Sequence, residues 1–344
     1  MNFSEKLIKW YNINKRELPW RSTKDPYKIW VSEIILQQTR IEYGKKYYYN
    51  FLNNYPDIYA LANTTNNKLL KTWEGLGYYS RALNMLKTAK IVVKKFSGIF
   101  PSKHVDLIDL PGIGDYTASA ISSICFDEKQ AVVDGNVMRF LSRLYKVDLP
   151  IDSTKTKSYF KKIGFKLMNN TSPGDFNQAM MDFGSMVCKP RKSDCFDCNF
   201  SSNCQAYLTD TVMRYPYKKK KLRIKNRYLN YIVPLTEDKK TIIKKRNEQG
   251  IWKNLYEFPL IETDQECLPD QVIDKIDVNL LELRRVKKIK HRLSHQLLHI
   301  SFFIFKAEKI TDDFIYIKSL PNYPFPKPIN KLSLIHISEP TRRI

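Results

Sequence analysis

Residues 109–126 read DLPGIGDYTASAISSICF, a Pro- and Gly-bearing turn that runs straight into a segment of helical character. Gly112 and Gly114, one residue apart, give such a turn access to backbone conformations closed to other residues. Consecutive backbone N–H groups are then exposed at the start of the following helix, where they bind a phosphate without reading base sequence. An ordinary Gly-rich turn between two helices has the same composition, so both readings stay open for this stretch alone.

Working outward, the same alternation of turn and helix continues in both directions. Asp25-Pro26 makes an N-cap and first-turn pair ahead of YKIWVSEIILQQTRIEY. NKLLKTWEGLG, SRALNMLKTAKIVVKKF, GNVMRFLSRLYKV and PGDFNQAMMDFGSMVC are further helical segments, divided by Gly, Pro, Asn and Asp. Residues 1–210 therefore read as one mainly helical domain. KKKKLRIKNR places seven basic residues between Lys218 and Arg227, and 211–227 reads as a basic linker, either lying along DNA or simply solvated. Beyond it Leu229, Tyr231 and Val233 alternate as in a strand, TEDKK is turn-like, and HQLLHISFFIFKAE is strand-rich. Residues 228–332 are expected to form a separate α+β domain. Residues 333–344, SLIHISEPTRRI, fit neither domain and read as a non-native tail.

The 344 residues suffice for two or three domains with ample core. Lys and Arg number 58 against 35 Asp and Glu, a formal charge of +23. That surplus points to an anionic polymer as partner, because neutralising phosphates releases condensed counterions; a compositional bias toward Lys and Asn is the plain alternative. No run approaches the roughly 20 apolar residues that span a bilayer. The opening MNFSEKLIKWYNINKR lacks the apolar centre of a secretion signal, so a cytoplasmic, nucleoid-associated protein without membrane contact is expected. Of six cysteines, Cys188, Cys195, Cys198 and Cys204 fall together as C-x6-C-x2-C-x5-C, while Cys125 and Cys267 lie apart. This distribution suggests a metal site rather than disulfides. Four thiolates ligate either tetrahedral zinc or an iron–sulfur cluster, and geometry alone does not choose. Lys189, Arg191 and Lys192, inside the first interval, can present positive charge to a phosphate.

Two carboxyl groups stand in contrasting settings. Glu33 lies inside the apolar run VSEIIL, where burial should raise its pKa and keep it protonated as a general acid. Asp134, in AVVDGNVMR, enters a helix from a Gly-bearing turn and should remain ionised. Such a pair can divide the work of breaking a glycosidic bond: one group protonates the leaving base, the other stabilises positive charge on the sugar. Taken singly, each is more often structural, an exposed acid or an N-cap.

Residues 18–40 (LPWRSTKDPYKIWVSEIILQQTR), 75–81 (GLGYYSR), 110–118 and 132–139 (VVDGNVMR), with the cysteine spacing, resemble successive motifs of the adenine DNA glycosylase family of the endonuclease III superfamily. The similarity covers residues 5–207 and continues more weakly to the C-terminus. It implies a mainly α helix-hairpin-helix glycosylase fold with a [4Fe–4S] loop on Cys188, Cys195, Cys198 and Cys204, plus a C-terminal α+β Nudix-like domain. It implies an enzyme that removes adenine opposite 8-oxoguanine or guanine in duplex DNA, acting as a monomer. Glu33 would protonate adenine at N7, Asp134 would stabilise the oxocarbenium-like sugar and guide water, Asn136 would support Asp134, and Tyr116 would hydrogen-bond near the sugar. Gly112 and Gly114 would hold DNA through the hairpin. Gln38 and Tyr78 match positions that touch or intercalate beside 8-oxoguanine. Arg21, Trp20, Leu36, Gln178 and Met181 match walls of the adenine pocket, although Trp20, Leu36 and Met181 would by default be core residues.

Leu293-Ser294-His295 occupies the place of the family's Phe-Ser-His loop; Ser294 and His295 match, and Leu293 departs from the aromatic. The Nudix hydrolase signature is absent: Glu257 stands seven residues after Gly250, not six, and no R-E-x-x-E-E follows. Three alternatives compete. A bifunctional pyrimidine-lesion glycosylase/lyase would carry its Schiff-base lysine where this chain has Tyr116, which offers no amine. A non-enzymatic helix-hairpin-helix DNA-binding protein would not need both Glu33 and Asp134. A Nudix hydrolase with a DNA-binding arm fails on the missing signature.

Overall fold

Side-chain caps set many of the helix starts. Asn2 and Glu5 form a capping box, Asp25 caps with Pro26 in the first turn, and Asp57, Thr65, Asp134 and Ser172 each accept a backbone N–H. The computed structural model describes residues 2–169, 171–218, 224–247, 250–273, 280–308, 310 and 314–330. The chain divides into two units, Met1–Asn63 with Asn84–Lys221, and Thr64–Leu83 with Leu222–Ile344. Among the described residues no helix is long and apolar enough to cross a membrane.

The helices are α1 (Phe3–Asn14), α2 (Pro26–Leu36), α3 (Ile41–Asn54), α4 (Ile58–Ala62), α5 (Asn66–Thr72), α6 (Ser80–Phe96), α7 (His104–Ile108), α8 (Asp115–Phe126), α9 (Gly135–Leu144), α10 (Thr154–Leu167), α11 (Pro173–Met186) and α12 (Gln205–Leu208). α1, α9 and α11 pack around Trp10, Phe140 and Phe183; the rings of Trp10 and Phe140 lie 4.9 and 4.7 Å from that of Phe183. Each such buried ring contributes roughly 1.5–3 kcal/mol. YKIWVSEIILQQTRIEY, expected as one helical stretch, breaks after Leu36: Gln38 takes a left-handed φ of 60° and α3 starts anew at Ile41.

The hairpin joins α7 to α8. Gly112 is left-handed at φ 78°, as expected. Gly114 corrects the expectation that both glycines need special backbone: its φ of −90° and ψ of 177° are ordinary extended values. It caps α8 without a side-chain bond, and a Cβ there would meet nothing within 4 Å. The first-turn N–H groups of α8 are of the kind that a helix N-terminus leaves without an intrahelical partner.

The second unit is built on strands β1 (Lys225–Leu235), β2 (Lys240–Ile242), β3 (Lys244–Lys245), β4 (Tyr256–Glu257), β5 (Leu260–Thr263), β6 (Leu280–Arg292), β7 (Gln296–Ala307) and β8 (Phe314–Tyr316), with a short α13 (Asp270–Ile273). The main sheet has the order β5-β1-β7-β6; β1 and β7 are parallel and the outer pairs antiparallel. The Leu229, Tyr231 and Val233 alternation underestimates β1, whose residues 229–234 are buried on both faces. One face meets Phe258, Phe302, Leu320 and Phe325; the other meets Cys267, Phe303 and Phe305. β6, thirteen residues and largely exposed, has no counterpart in the sequence reading. The expected basic linker is ordered at both ends, in a 3-10 turn at Val212–Arg214 and in β1 from Lys225, while 219–223 lie outside the described residues. The expected tail 333–344 also lies outside them.

Gly112→Ala should destabilise the helical unit by more than about 1 kcal/mol, because Ala resists positive φ and its Cβ would sit 2.7 Å from Asn84 Cβ. A thermal melt measures this; Gly114→Ala should leave the melt nearly unchanged.

Candidate active site

Apolar neighbours bury Glu33 on α2. Its carboxyl is 8 % exposed and is pushed up to about 7, first by burial and then by the charge of Asp134. A hydrogen bond with Tyr116 and the charge of Arg21 oppose the shift. The Tyr116 hydroxyl also lies 3.3 Å from Met181 Sδ, to which it donates. Burial and the neighbouring Glu33 raise the phenol well above its ordinary value, so Tyr116 stays a neutral donor.

Asp134 is the N-cap of α9. It accepts from Asn136 N at 2.9 Å, Val137 N at 2.7 Å and Asn136 Nδ2 at 2.7 Å. Burial nevertheless raises its pKa, with these three bonds pulling the other way. Sequence reading expects an ionised carboxylate here; burial works against that form, and donors and a helix N-terminus favour it. Asn136 is supported in turn. Its Oδ1 accepts from Arg139 Nη2 at 2.9 Å, and Arg139 also donates to Gly184 O and to Cys188 O.

Besides Arg139, three supporting residues escape the sequence reading. Asp182, fully buried on α11, receives both Arg21 and Arg16. Burial would raise it, but the hydrogen bonds from Arg21 and Arg16 hold it below its ordinary value. Asp182 stands alone in the apolar run AMMDFG, the same signal that marks Glu33. Gly184 lets α11 approach α9: a Cβ there would lie 2.6 Å from Asn136 O. Arg16 has no local signal beyond its charge.

The pocket-wall residues divide. Arg21 and Gln178 line an open cavity of about 550 Å³ with Tyr11, Arg16 and Lys45, while Glu33 does not line it. Trp20 is buried edge-on against Tyr48, 5.3 Å between rings. Leu36 and Met181 are half-buried, and Gln38 is exposed on the turn after α2. Tyr78, Ser294 and His295 belong to the second unit. Tyr78 is exposed at φ 48°, in a turn braced by Arg81 and Trp73, both of which donate to Gly77 O. Its hydroxyl lies 2.6 Å from Ser294 Oγ. Ser294 and His295 are exposed between β6 and β7, whereas Leu293 packs against the sheet core.

Cys188, Cys195, Cys198 and Cys204 surround one small cavity, closed by Phe140, Phe200 and Val212. Among the described residues no three His, Cys, Asp or Glu side chains converge as ligands of a single ion. The buried Arg143 donates to Cys188 Sγ at 3.4 Å and to the carbonyls of Lys189 and Pro190. A four-sulfur donor set beside a buried cation fits an anionic, thiolate-ligated group.

Comparison with known proteins matches two families along the chain. Residues 31–164 match the model of the HhH-GPD superfamily of base excision DNA repair proteins, and residues 230–333 match the NUDIX domain. The adenine DNA glycosylase of Buchnera aphidicola subsp. Schizaphis graminum is 36 % identical over 96 % of this chain and 97 % of its own. That of Buchnera aphidicola subsp. Baizongia pistaciae is 34 % identical over 87 % and 84 %. Among solved structures, a thermostable thymine-DNA glycosylase matches with TM-score 0.56 and 29 % identity over 60 % of this chain and 95 % of its own. An endonuclease III–DNA covalent intermediate matches with TM-score 0.53 over 60 % and 94 %; at 20 % identity it speaks for the fold alone.

The folded protein holds the Glu33 proton up to about pH 7, whereas an unfolded chain releases it near 4.5. Stability is therefore lost as pH rises through this window. Glu33→Gln should remove the loss and stabilise the protein at pH 8 by on the order of 2–3 kcal/mol, read from denaturant melts at pH 4.5 and 8.

Proposed function

We propose that this chain, which belongs to the adenine DNA glycosylase family, hydrolyses the N-glycosidic bond of adenine mispaired with 8-oxoguanine or guanine in duplex DNA. The observation that carries the reading is the buried Glu33 carboxyl, poised near neutrality within the field of a second, donor-bound carboxyl on Asp134. Extrusion of the adenine costs roughly a few kcal/mol. Protonated Glu33 delivers its proton to adenine N7, which turns the base into a neutral leaving group. Asp134 stays charged, held by Asn136 and Val137, and stabilises the oxocarbenium-like sugar while water adds. Tyr116 orients the Glu33 side of the site and offers no amine for a Schiff base, so the enzyme is monofunctional.

Arg21, Trp20, Leu36, Gln178 and Met181 form the adenine side of the pocket, and Asp182 positions Arg21. Gln38, Tyr78, Ser294 and His295 read the opposite base. The N-terminus of α8 behind Gly112 and Gly114, which no side chain caps, holds a phosphate. Cys188, Cys195, Cys198 and Cys204 would hold a [4Fe–4S] cluster, which braces the loop and supplies no redox step to base removal. The protein works as an intracellular monomer.

Glu33→Gln and Asp134→Asn are expected to abolish adenine release in single turnovers while duplex binding persists; loss of binding in both would contradict the assigned roles. For the unaltered protein, strand breaks should appear only after alkali, and breaks without alkali would indicate a lyase. The kcat/KM profile should fall as pH rises through about 7, where Glu33 gives up its proton. Ser294→Ala with His295→Ala should narrow the preference for 8-oxoguanine over guanine opposite adenine. Equal rates on the two duplexes with the unaltered protein would refute lesion reading.

A further inference from the structure

The face of the main sheet that buries Phe303 and Phe305 becomes polar toward its end nearest the β6–β7 turn, at His299 and Ser301. Cross-strand register places Lys290 beside His299 and His299 beside Tyr228; it likewise places Arg292 beside Leu297 and Asn226, and Lys288 beside Ser301 and Asn230. Lys288, Lys290 and Arg292 are exposed, while the intervening Ile289 packs against the core on the opposite face. Tyr228 stacks on His299 at 4.6 Å with an 18° interplanar angle, and His299 Nε2 lies 3.2 Å from Asn226 Oδ1. Lys288 pairs with Glu266; Lys290 and Arg292 have no acidic partner within 4 Å among the described residues.

Charge on an outer strand also discourages edge-to-edge pairing. Arg284, Arg285 and Lys287 already meet that need. It does not account for three cations repeated on one face and leading directly to Ser294 and His295. Alternate strand residues lie roughly 6.7 Å apart, so each cation can meet a separate phosphate.

We infer that Lys288, Lys290 and Arg292 form a phosphate-tracking stripe that binds the backbone of the same duplex beyond the mispair. This rests on the reading of the chain as acting on duplex DNA. The stripe gives affinity without sequence preference and feeds the duplex to the Ser294–His295 turn.

The test is equilibrium binding to a lesion-free 30-base-pair duplex as a function of salt, with adenine release by the unaltered protein from the mispaired duplex measured in parallel. Release reports on the proposed function; the salt slope reports on the stripe. The Lys288→Gln, Lys290→Gln, Arg292→Gln triple variant should lower the magnitude of the log K against log salt slope by about 1.8, that is ~0.9 for each of the two unpaired cations, Lys290 and Arg292. Glu266→Gln, which frees Lys288, should bind more tightly with a steeper slope, an effect that damage to the fold cannot produce. An unchanged slope in the triple variant, or unchanged or weaker binding by Glu266→Gln, overturns the inference.

Discussion

The proposed chemistry depends on keeping water from one carboxyl group. Glu33 sits on a helix whose other inward residues, Ile29, Trp30, Val31, Ile34 and Ile35, are nearly all apolar and buried. Nothing on the helix solvates its charged form, and the proton stays on to about pH 7. The group is useful because its environment is unfavourable to the anion. Tyr116 and Arg21 limit that penalty, and both are themselves held: Tyr116 by its place at the start of α8, Arg21 by the buried Asp182.

The second carboxyl is made by different means. Asp134 is half-buried where Glu33 is buried, three donors converge on it, and α11 approaches Asn136 closely at Gly184. Arg139 ties Asn136 to α11 and to the carbonyl of Cys188, and Arg143 ties the cysteine loop to α9. The N-terminus of α9, which carries Asp134, and the cysteine loop are therefore parts of one hydrogen-bonded frame.

Much of this is legible locally. A lone acid among branched aliphatics announces Glu33, the Gly-rich turn announces α8, and the cysteine spacing announces a ligand set. What escapes is non-local. Gly184 matters only because α11 crosses the start of α9, and Arg139 only because it reaches two carbonyls far along the chain. Asp182 carries the same signature as Glu33, but its meaning comes from the two arginines brought to it by folding. The surroundings of Asp134 are not visible in its own segment, because a turn in sequence reads as exposed, whereas this one is packed under α11. β6 is hidden by its charges: its polar residues point to solvent on both sides over much of its length, so no alternation marks it.

The parallel pairing of β1 with β7 governs how the second unit can come into being. Antiparallel β6 and β7 are joined by a tight turn and can pair as soon as both exist. β1 must wait until residue 296 and beyond, because its long ladder runs from Lys225–Gln296 to Leu235–Lys306. A strand buried on both faces in the finished sheet thus spends the synthesis of the intervening segment without its main partner. Pairings of such sequence separation make folding slow. The Ser294 turn cannot close before β7 exists, and a polypeptide halted before β7 would leave β1 with only its short pairing to β5 and an open, aggregation-prone edge.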